Sequence, residues 1–177
     1  MLRLSLLVLL SMLSTWGWTQ SLVVSTHPIY LIAKEVTDGV EEPVLLLGDQ
    51  TGHDVQLTPA HRKAIQDASL VLWLGKVHEA PLDKLLSQNR KAIALLDSGI
   101  LTTLPQRNLR GAALSNTVDS HVWLDPNNAV RIAFFIATLR SQQYPENKAK
   151  YLANAKDFAQ QMLQASQQYE SRSEEHT

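Results

Sequence analysis

Four short apolar runs, separated by segments with helical spacing, restrict this chain to very few architectures. The runs typical of strands are residues 22–26, 44–47, 70–74 and 92–96. Residues 70–74 are continuously apolar, as in a strand that is buried on both faces. The connections are too long for hairpins, so the strands are predicted to be parallel with right-handed crossovers. The pattern therefore predicts an α/β fold with a four-stranded parallel sheet flanked by helices.

Helix signals lie between the strand candidates and after them. Thr58 and Asp125 are predicted N-caps, because each precedes a proline that suits the first helical position. The predicted helices are residues 28–40, 59–68, 81–88, a segment starting at 126, and 145–169. The last of them would be about 37 Å long at roughly 1.5 Å per residue. Residues 99–120 are polar with few periodic apolar positions, and they are interpreted as a surface loop.

The amino terminus has the pattern of a secretory signal peptide. Residues 1–20 contain one cation, Arg3, then an apolar run through Leu13 and a small, polar end. The run is too short to span a bilayer, so we expect it to be removed and to leave no membrane anchor. The chain has no cysteine, which excludes disulfides, thiolate metal ligands and a lipid-bearing cysteine. An exported, soluble, periplasmic product is predicted.

The carboxyl terminus is interpreted as an artefact. Residues 172–177, Arg-Ser-Glu-Glu-His-Thr, resemble the in-frame translation of a short-read sequencing adapter. An ordinary polar tail is the alternative, and in both cases His176 is not counted as a metal ligand. We expect the native carboxyl-terminal part to be missing.

Two histidines follow predicted strands and are the candidate metal ligands. His53 follows the second strand and His121 the fourth, so a parallel sheet would bring both to one edge. Neutral imidazoles suit zinc, and Asp54 and Asp119 are the nearest groups able to orient them. The residues alone leave open that both histidines are merely solvated or capping, because no H-x-x-x-H or H-E-x-x-H element is present.

The sequence gives weaker reasons for a metal-binding role at the other histidines and at two tryptophans. His27 ends the first strand and is only a minor candidate for the cleft. His61 is predicted to pack at a helix boundary, and His78 to cap a helix or face solvent. Trp73 and Trp123 are predicted to belong to the core or to a cleft wall. Lys and Arg number 16 against 17 Asp and Glu, so nothing favours nucleic-acid binding.

Ordered motifs across residues 22–169 resemble the periplasmic metal-binding proteins of ABC transporters. The motifs are Gly52-His-Asp-Val-Gln-Leu-Thr-Pro, Asp67-Ala-Ser-Leu-Val-Leu-Trp-Leu-Gly, Asp119-Ser-His-Val-Trp-Leu-Asp-Pro and Thr26-His-Pro-Ile-Tyr-Leu-Ile-Ala. The resemblance implies two α/β lobes joined by a long helix, with the metal held between them. The implied divisions are an N-terminal metal-binding lobe at 21–143 and an incomplete interlobe helix at 144–171, with the second lobe missing.

By the same resemblance, His53 and His121 match the two first-lobe ligands of the family. The implied function is a monomeric solute-binding protein that captures zinc, or alternatively manganese, and delivers it to an ABC-transporter permease. No enzyme activity and no organic cofactor are expected. A zinc-dependent hydrolase with Asp54 as base, and a metal-binding adhesin or storage protein, are the alternatives. Gly52 departs from zinc carriers that have an acidic residue there, and residues 99–120 lack their His-rich tract.

Overall fold

The computed structural model describes residues 21–48, 50 and 55–174 of the chain. Four parallel strands form one sheet in the order β2-β1-β3-β4. The strands are β1 (Leu22–Val24), β2 (Val44–Leu45), β3 (Leu70–Trp73) and β4 (Ala92–Ala94). The predicted four-stranded parallel sheet is confirmed. Each strand is shorter than its apolar run; after β4, for example, the chain tightens into a 3-10 turn at Leu95–Asp97.

Five α-helices connect and follow the strands. They are α1 (His27–Thr37), α2 (Pro59–Asp67), α3 (Ala80–Leu86), α4 (Pro126–Gln143) and α5 (Lys148–Glu174). A 3-10 turn at Pro145–Asn147 precedes α5, so this helix starts later than its proline suggested, and it extends beyond the predicted end at 169. The division into residues 21–143, 144–171 and 172–177 stays a prediction.

Alternating strand residues point to opposite faces of the sheet and build two cores. Leu22 and Val24 of β1 and Leu72 of β3 pack with α1, α4 and α5 on one face. Val23 and Trp73 pack with α2 and α3 on the other face. All of these side chains are buried, so both faces of the sheet are covered, as the continuous apolar run predicted. The core position of Trp73 is likewise confirmed.

The first half of the long helix α5 packs against the rest of the fold. Tyr151 and Ala155 are buried in the core that α1 and α4 share. The amide of Asn154 donates to the carbonyls of Val36 and Asp38 at 3.0 and 2.9 Å, which satisfies the end of α1. Within the described residues, no helix is both long and apolar enough to cross a membrane.

The segment between β4 and α4 is a surface loop, as predicted. An isolated antiparallel bridge joins Arg107 and Ala113, and the tip residue Leu109 is fully exposed. At its end the loop closes on itself, with the amide of Asp119 donating to the carbonyl of Leu104 at 2.7 Å, and then returns to the segment after β3, where the Ser120 hydroxyl lies 2.8 Å from His78 Nδ1. This return places the residues that follow beside the carboxyl ends of the strands.

Candidate metal centre

His121 is held in a defined orientation by Asp119. One carboxylate oxygen, Oδ1, accepts a hydrogen bond from the His121 amide at 3.0 Å and lies 2.7 Å from its Nδ1. The His121 amide, and then its imidazole, hold the pKa of the Asp119 carboxyl below its ordinary value. Both side chains are about half exposed. A carboxylate on Nδ1 is the usual support of a histidine that binds a metal through Nε2.

Local backbone structure sets the direction of the His121 side chain. A 3-10 turn at Val122–Leu124 follows it, and the Leu124 amide donates to the His121 carbonyl at 3.1 Å. Asp125 then caps α4 by accepting from the Asn127 amide at 2.8 Å, as predicted. The Asp-Ser-His segment is therefore fixed at its carboxyl end, by the 3-10 turn and then by the start of α4.

His53 and Asp54 lie outside the described residues, and their proposed roles stay predictions. The described chain resumes at Val55, which packs with Leu57 against the core between the sheet, α2 and α3.

His78 was predicted to cap a helix or face solvent, and this is wrong. Its side chain is buried, with 6% exposure, and its Nδ1 lies 2.8 Å from the hydroxyl of Ser120. Its ring centroid is 5.6 Å from that of His121. The chain turns at Gly75 directly after β3, with φ of 118°, and carries His78 back beneath the Asp119–His121 segment. The sequence did contain a signal for this position, since His78, like His53 and His121, comes after the carboxyl end of a predicted strand.

Trp123 forms one wall of this cluster. Its ring centroid lies 5.5 Å from that of His78 and 5.3 Å from that of His121, in edge-to-face geometries. It is partly buried against the core shared by α1 and α4. Of the two positions predicted for Trp123, core or cleft wall, the structure confirms packing against the core.

Glu79 is a buried carboxyl that the sequence reasoning did not single out. It is fully buried, and its Oε2 accepts a hydrogen bond from the Leu74 amide at 2.7 Å. Burial raises the pKa of this carboxyl to about 7. This hydrogen bond to the residue after β3 stabilises the turn that carries His78, and Glu79 thereby helps to hold His78 in place.

The two remaining described histidines stand apart from the cluster. His27 is exposed at the start of α1, where its ring stacks on Tyr30 at 6.1 Å. His61 was predicted to be a packing residue, but it forms a capping box. Its amide donates to Thr58 Oγ1, and its Nδ1 accepts from the Thr58 amide, both at 3.3 Å. An imidazole at the third helical position can reach back as Glu or Gln does, which explains the correction.

A cleft of about 260 Å³ opens beside His121. Its lining includes Asp119, Asp125 and Asn128, together with the exposed side chains of Leu104 and Leu124. Among the residues that the structure describes, no three or more His, Asp or Glu side chains converge as metal ligands. The cleft and His121 lie at the sheet edge where parallel α/β folds bind ligands.

Comparison with known proteins agrees with this fold. The family model described as "ZnuA: Zinc-uptake complex component A periplasmic" matches residues 22–177. The high-affinity zinc uptake system protein ZnuA of Yersinia pestis is 30% identical over 168 residues, which cover 81% of this chain and 53% of that protein. The chain spans about half the length of the curated relatives it matches.

Solved structures show the same fold. The AdcAII protein of Streptococcus pneumoniae matches with a TM-score of 0.70 and 24% identity, over 89% of this chain and 58% of that one. The Mn-bound periplasmic metal-binding protein of Candidatus Liberibacter asiaticus matches with a TM-score of 0.66 and 20% identity, over 80% and 52%. With the family model matching nearly the whole described chain, this chain belongs to the ZnuA family of periplasmic zinc-uptake components.

Proposed function

We propose that this chain captures Zn²⁺ outside the cytoplasm, as the cargo of an ABC transporter, and delivers it to the membrane permease. Its family and its zinc-uptake relatives support this proposal. Manganese is the alternative cargo, since one fold neighbour is a Mn-bound protein. Because the chain spans about half of its relatives, the permease, the monomeric state and the periplasmic location are parts of the same proposal.

The observation that carries the proposal is the contact between Asp119 and His121. In the tautomer that binds a metal through Nε2, the His121 Nδ1–H donates to the Asp119 carboxylate at 2.7 Å. The carboxylate fixes the ring and makes Nε2 a better electron donor. An imidazole held in this way replaces a water molecule around the cation, with no bond made or broken in the protein. His53 is the proposed second ligand.

No described observation favours the hydrolase alternative. A zinc hydrolase needs a general base within reach of a metal-bound water. Asp119, the carboxylate in contact with His121, is already bound to the imidazole and its amide, so it orients a ligand. An imidazole that is oriented by a carboxylate suits capture of the ion. This arrangement supports the proposal of a binding protein rather than an enzyme.

The test is calorimetric titration of Zn²⁺ into the 177-residue chain and its variants. His121→Ala and His53→Ala are each expected to weaken Zn²⁺ binding at least tenfold, because each removes a proposed ligand. Asp119→Asn is expected to weaken it about 10- to 100-fold, because it removes the group that orients His121. His61→Gln is the matched control, since glutamine preserves the capping box and should leave affinity unchanged.

Unchanged Zn²⁺ affinity in both His121→Ala and His53→Ala would refute the proposed site. Turnover of an ester or peptide substrate that disappears in His121→Ala would favour the hydrolase instead. A parallel titration with Mn²⁺ measures the choice between the two cargo ions.

A further inference from the structure

We propose that His78 is an additional ligand of the captured metal ion and binds it together with His121. This inference rests on the proposed function and adds a residue to its site. The structure, not the sequence pattern, brings His78 to the cluster, because the residue is separated from His121 along the chain by β4 and the long surface loop.

The spacing of the two rings fits a shared ion. With Zn–N bonds of about 2.1 Å and tetrahedral angles, two imidazoles on one zinc have ring centroids about 5 Å apart. The centroids of His78 and His121 are 5.6 Å apart, and the rings are perpendicular. The observed spacing is therefore within about 1 Å of the spacing expected for two imidazoles on one ion.

Each ring has its Nδ1 held by a neighbouring oxygen. The Nδ1 of His121 is held by Asp119 at 2.7 Å, and the Nδ1 of His78 by the Ser120 hydroxyl at 2.8 Å. In the ligating tautomer the His78 Nδ1–H donates to that hydroxyl. Ligating histidines usually have such an acceptor on their second nitrogen, because it fixes the tautomer and the plane of the ring. Adjacent residues of one turn thus orient both imidazoles.

The surroundings of His78 also suit a ligand. The side chain is buried with 6% exposure, Ser120 with 4%, and the Trp123 ring packs edge-on at 5.5 Å. An added imidazole would also bias the site, since nitrogen donors favour zinc and oxygen donors favour manganese.

The experiment compares four variants of the full chain, one of them His121→Ala, by competition between the protein and a chromophoric chelator for Zn²⁺. His78→Asn keeps a polar atom close to the position of Nδ1, and hence the contact with Ser120, but lacks Nε2. It is expected to weaken Zn²⁺ binding at least tenfold, and Mn²⁺ binding less. Ser120→Ala removes only the orienting hydroxyl and should have a smaller effect. His61→Gln should bind as the parent chain does.

The outcomes separate this inference from the proposed function. If His121→Ala loses binding while His78→Asn binds Zn²⁺ like the parent chain, the proposed function stands and the role of His78 is refuted. If Ser120→Ala and His78→Asn weaken binding equally, His78 positions the turn and does not bind the metal. If neither His121→Ala nor His78→Asn changes affinity, the proposed site itself fails.

A measurement on the unaltered chain covers the case in which a substitution at this buried position prevents folding. The ¹⁵N resonances of the histidine rings are recorded before and after one equivalent of Zn²⁺. Direct ligation is expected to shift the Nε2 resonance of His78 together with that of His121. A His78 resonance that stays in place while that of His121 moves would overturn the inference.

Discussion

At the scale of single residues, burial decides the chemistry more than residue type does. His27, His61 and His78 are alike in sequence terms, since each lies near the start of a helix. His27 stacks on the surface, His61 caps α2, and His78 is buried beside His121. Local sequence anticipates a cap or a turn, but the depth of a side chain depends on which distant segment covers it.

Tyr151 offers a test of burial through its pH dependence. Burial, reinforced by its hydrogen bond to Glu41 at 2.9 Å, raises the pKa of Tyr151 to about 12. An unfolded tyrosine ionises near pH 10, so between about 10 and 12 the folded state holds a proton that the unfolded state has lost. The contribution of the raised pKa of Tyr151 to the free energy of unfolding is complete below about pH 10. We expect this contribution to be lost as the pH rises to 12.

An absorbance titration of tyrosinate checks this prediction. The hydrogen bond to Glu42 also raises the pKa of Tyr30, so the late phase in question is the one near pH 12, and Tyr151→Phe should remove it and flatten the alkaline decline of stability. Tyr169→Phe, which removes an exposed tyrosine of α5, should retain both. A late phase that survives Tyr151→Phe would contradict the assignment.

At the scale of elements, caps are where the sequence was most informative. Thr58 and Asp125 were predicted N-caps followed by proline, and both accept a backbone hydrogen bond in that role. The ends of strands were less well predicted. An apolar run marks buried residues, whereas a strand ends where its hydrogen-bonding neighbour ends, and that depends on other segments.

Asp125 provides a prediction at this scale. Asp125→Ala leaves the first amides of α4 without their side-chain acceptor, so we expect a loss of about 1 kcal/mol in the free energy of unfolding. Urea denaturation followed by circular dichroism measures it. Asp157→Ala, on the exposed face inside α5, is the control and should change stability by less than about 0.5 kcal/mol. Equal midpoints for the two variants would count against the cap.

At the scale of the whole molecule, a buried ion pair joins segments that are distant in the chain. Arg140 of α4 is 1% exposed, and its Nε donates to Glu41 Oε1 at 2.7 Å, while its Nη2 also contacts that carboxylate. Its Nη1 donates to the Ser69 hydroxyl at 3.0 Å and to Gln143 at 2.6 Å. Together with Tyr151 of α5, the pair ties α4, α5 and the loops before β2 and β3 into one end of the fold.

Arg140→Ala is expected to destabilise the chain by about 3 kcal/mol, because it removes the buried guanidinium and leaves the partly buried Glu41 carboxylate uncompensated. The double variant Arg140→Met with Glu41→Leu should recover much of this loss, since both charges are then absent. Chemical denaturation of the three proteins gives the comparison. Lys63→Ala breaks an exposed pair with Asp67 and should cost less than about 1 kcal/mol. A similar cost for Arg140→Ala would refute the structural role of the buried pair.

The sequence by itself determined the fold class and the edge at which chemistry is found. Apolar runs, helical spacing and proline after a capping residue are local signals, and together they specify a parallel sheet whose strand ends face one side. His121 and its partner Asp119 were predictable, because they are two residues apart on the segment that follows the last strand connection.

Only the tertiary structure decided which other groups meet there. His78 reaches His121 because the chain turns at Gly75 and the surface loop folds back over it, and Arg140 reaches Glu41 across most of the described chain. Such contacts depend on how layers pack and not on the spacing of residues in one segment. Residues that are close together in the sequence therefore predict a helix, a cap or a strand end. Which histidines lie close together in space depends on how the whole chain folds.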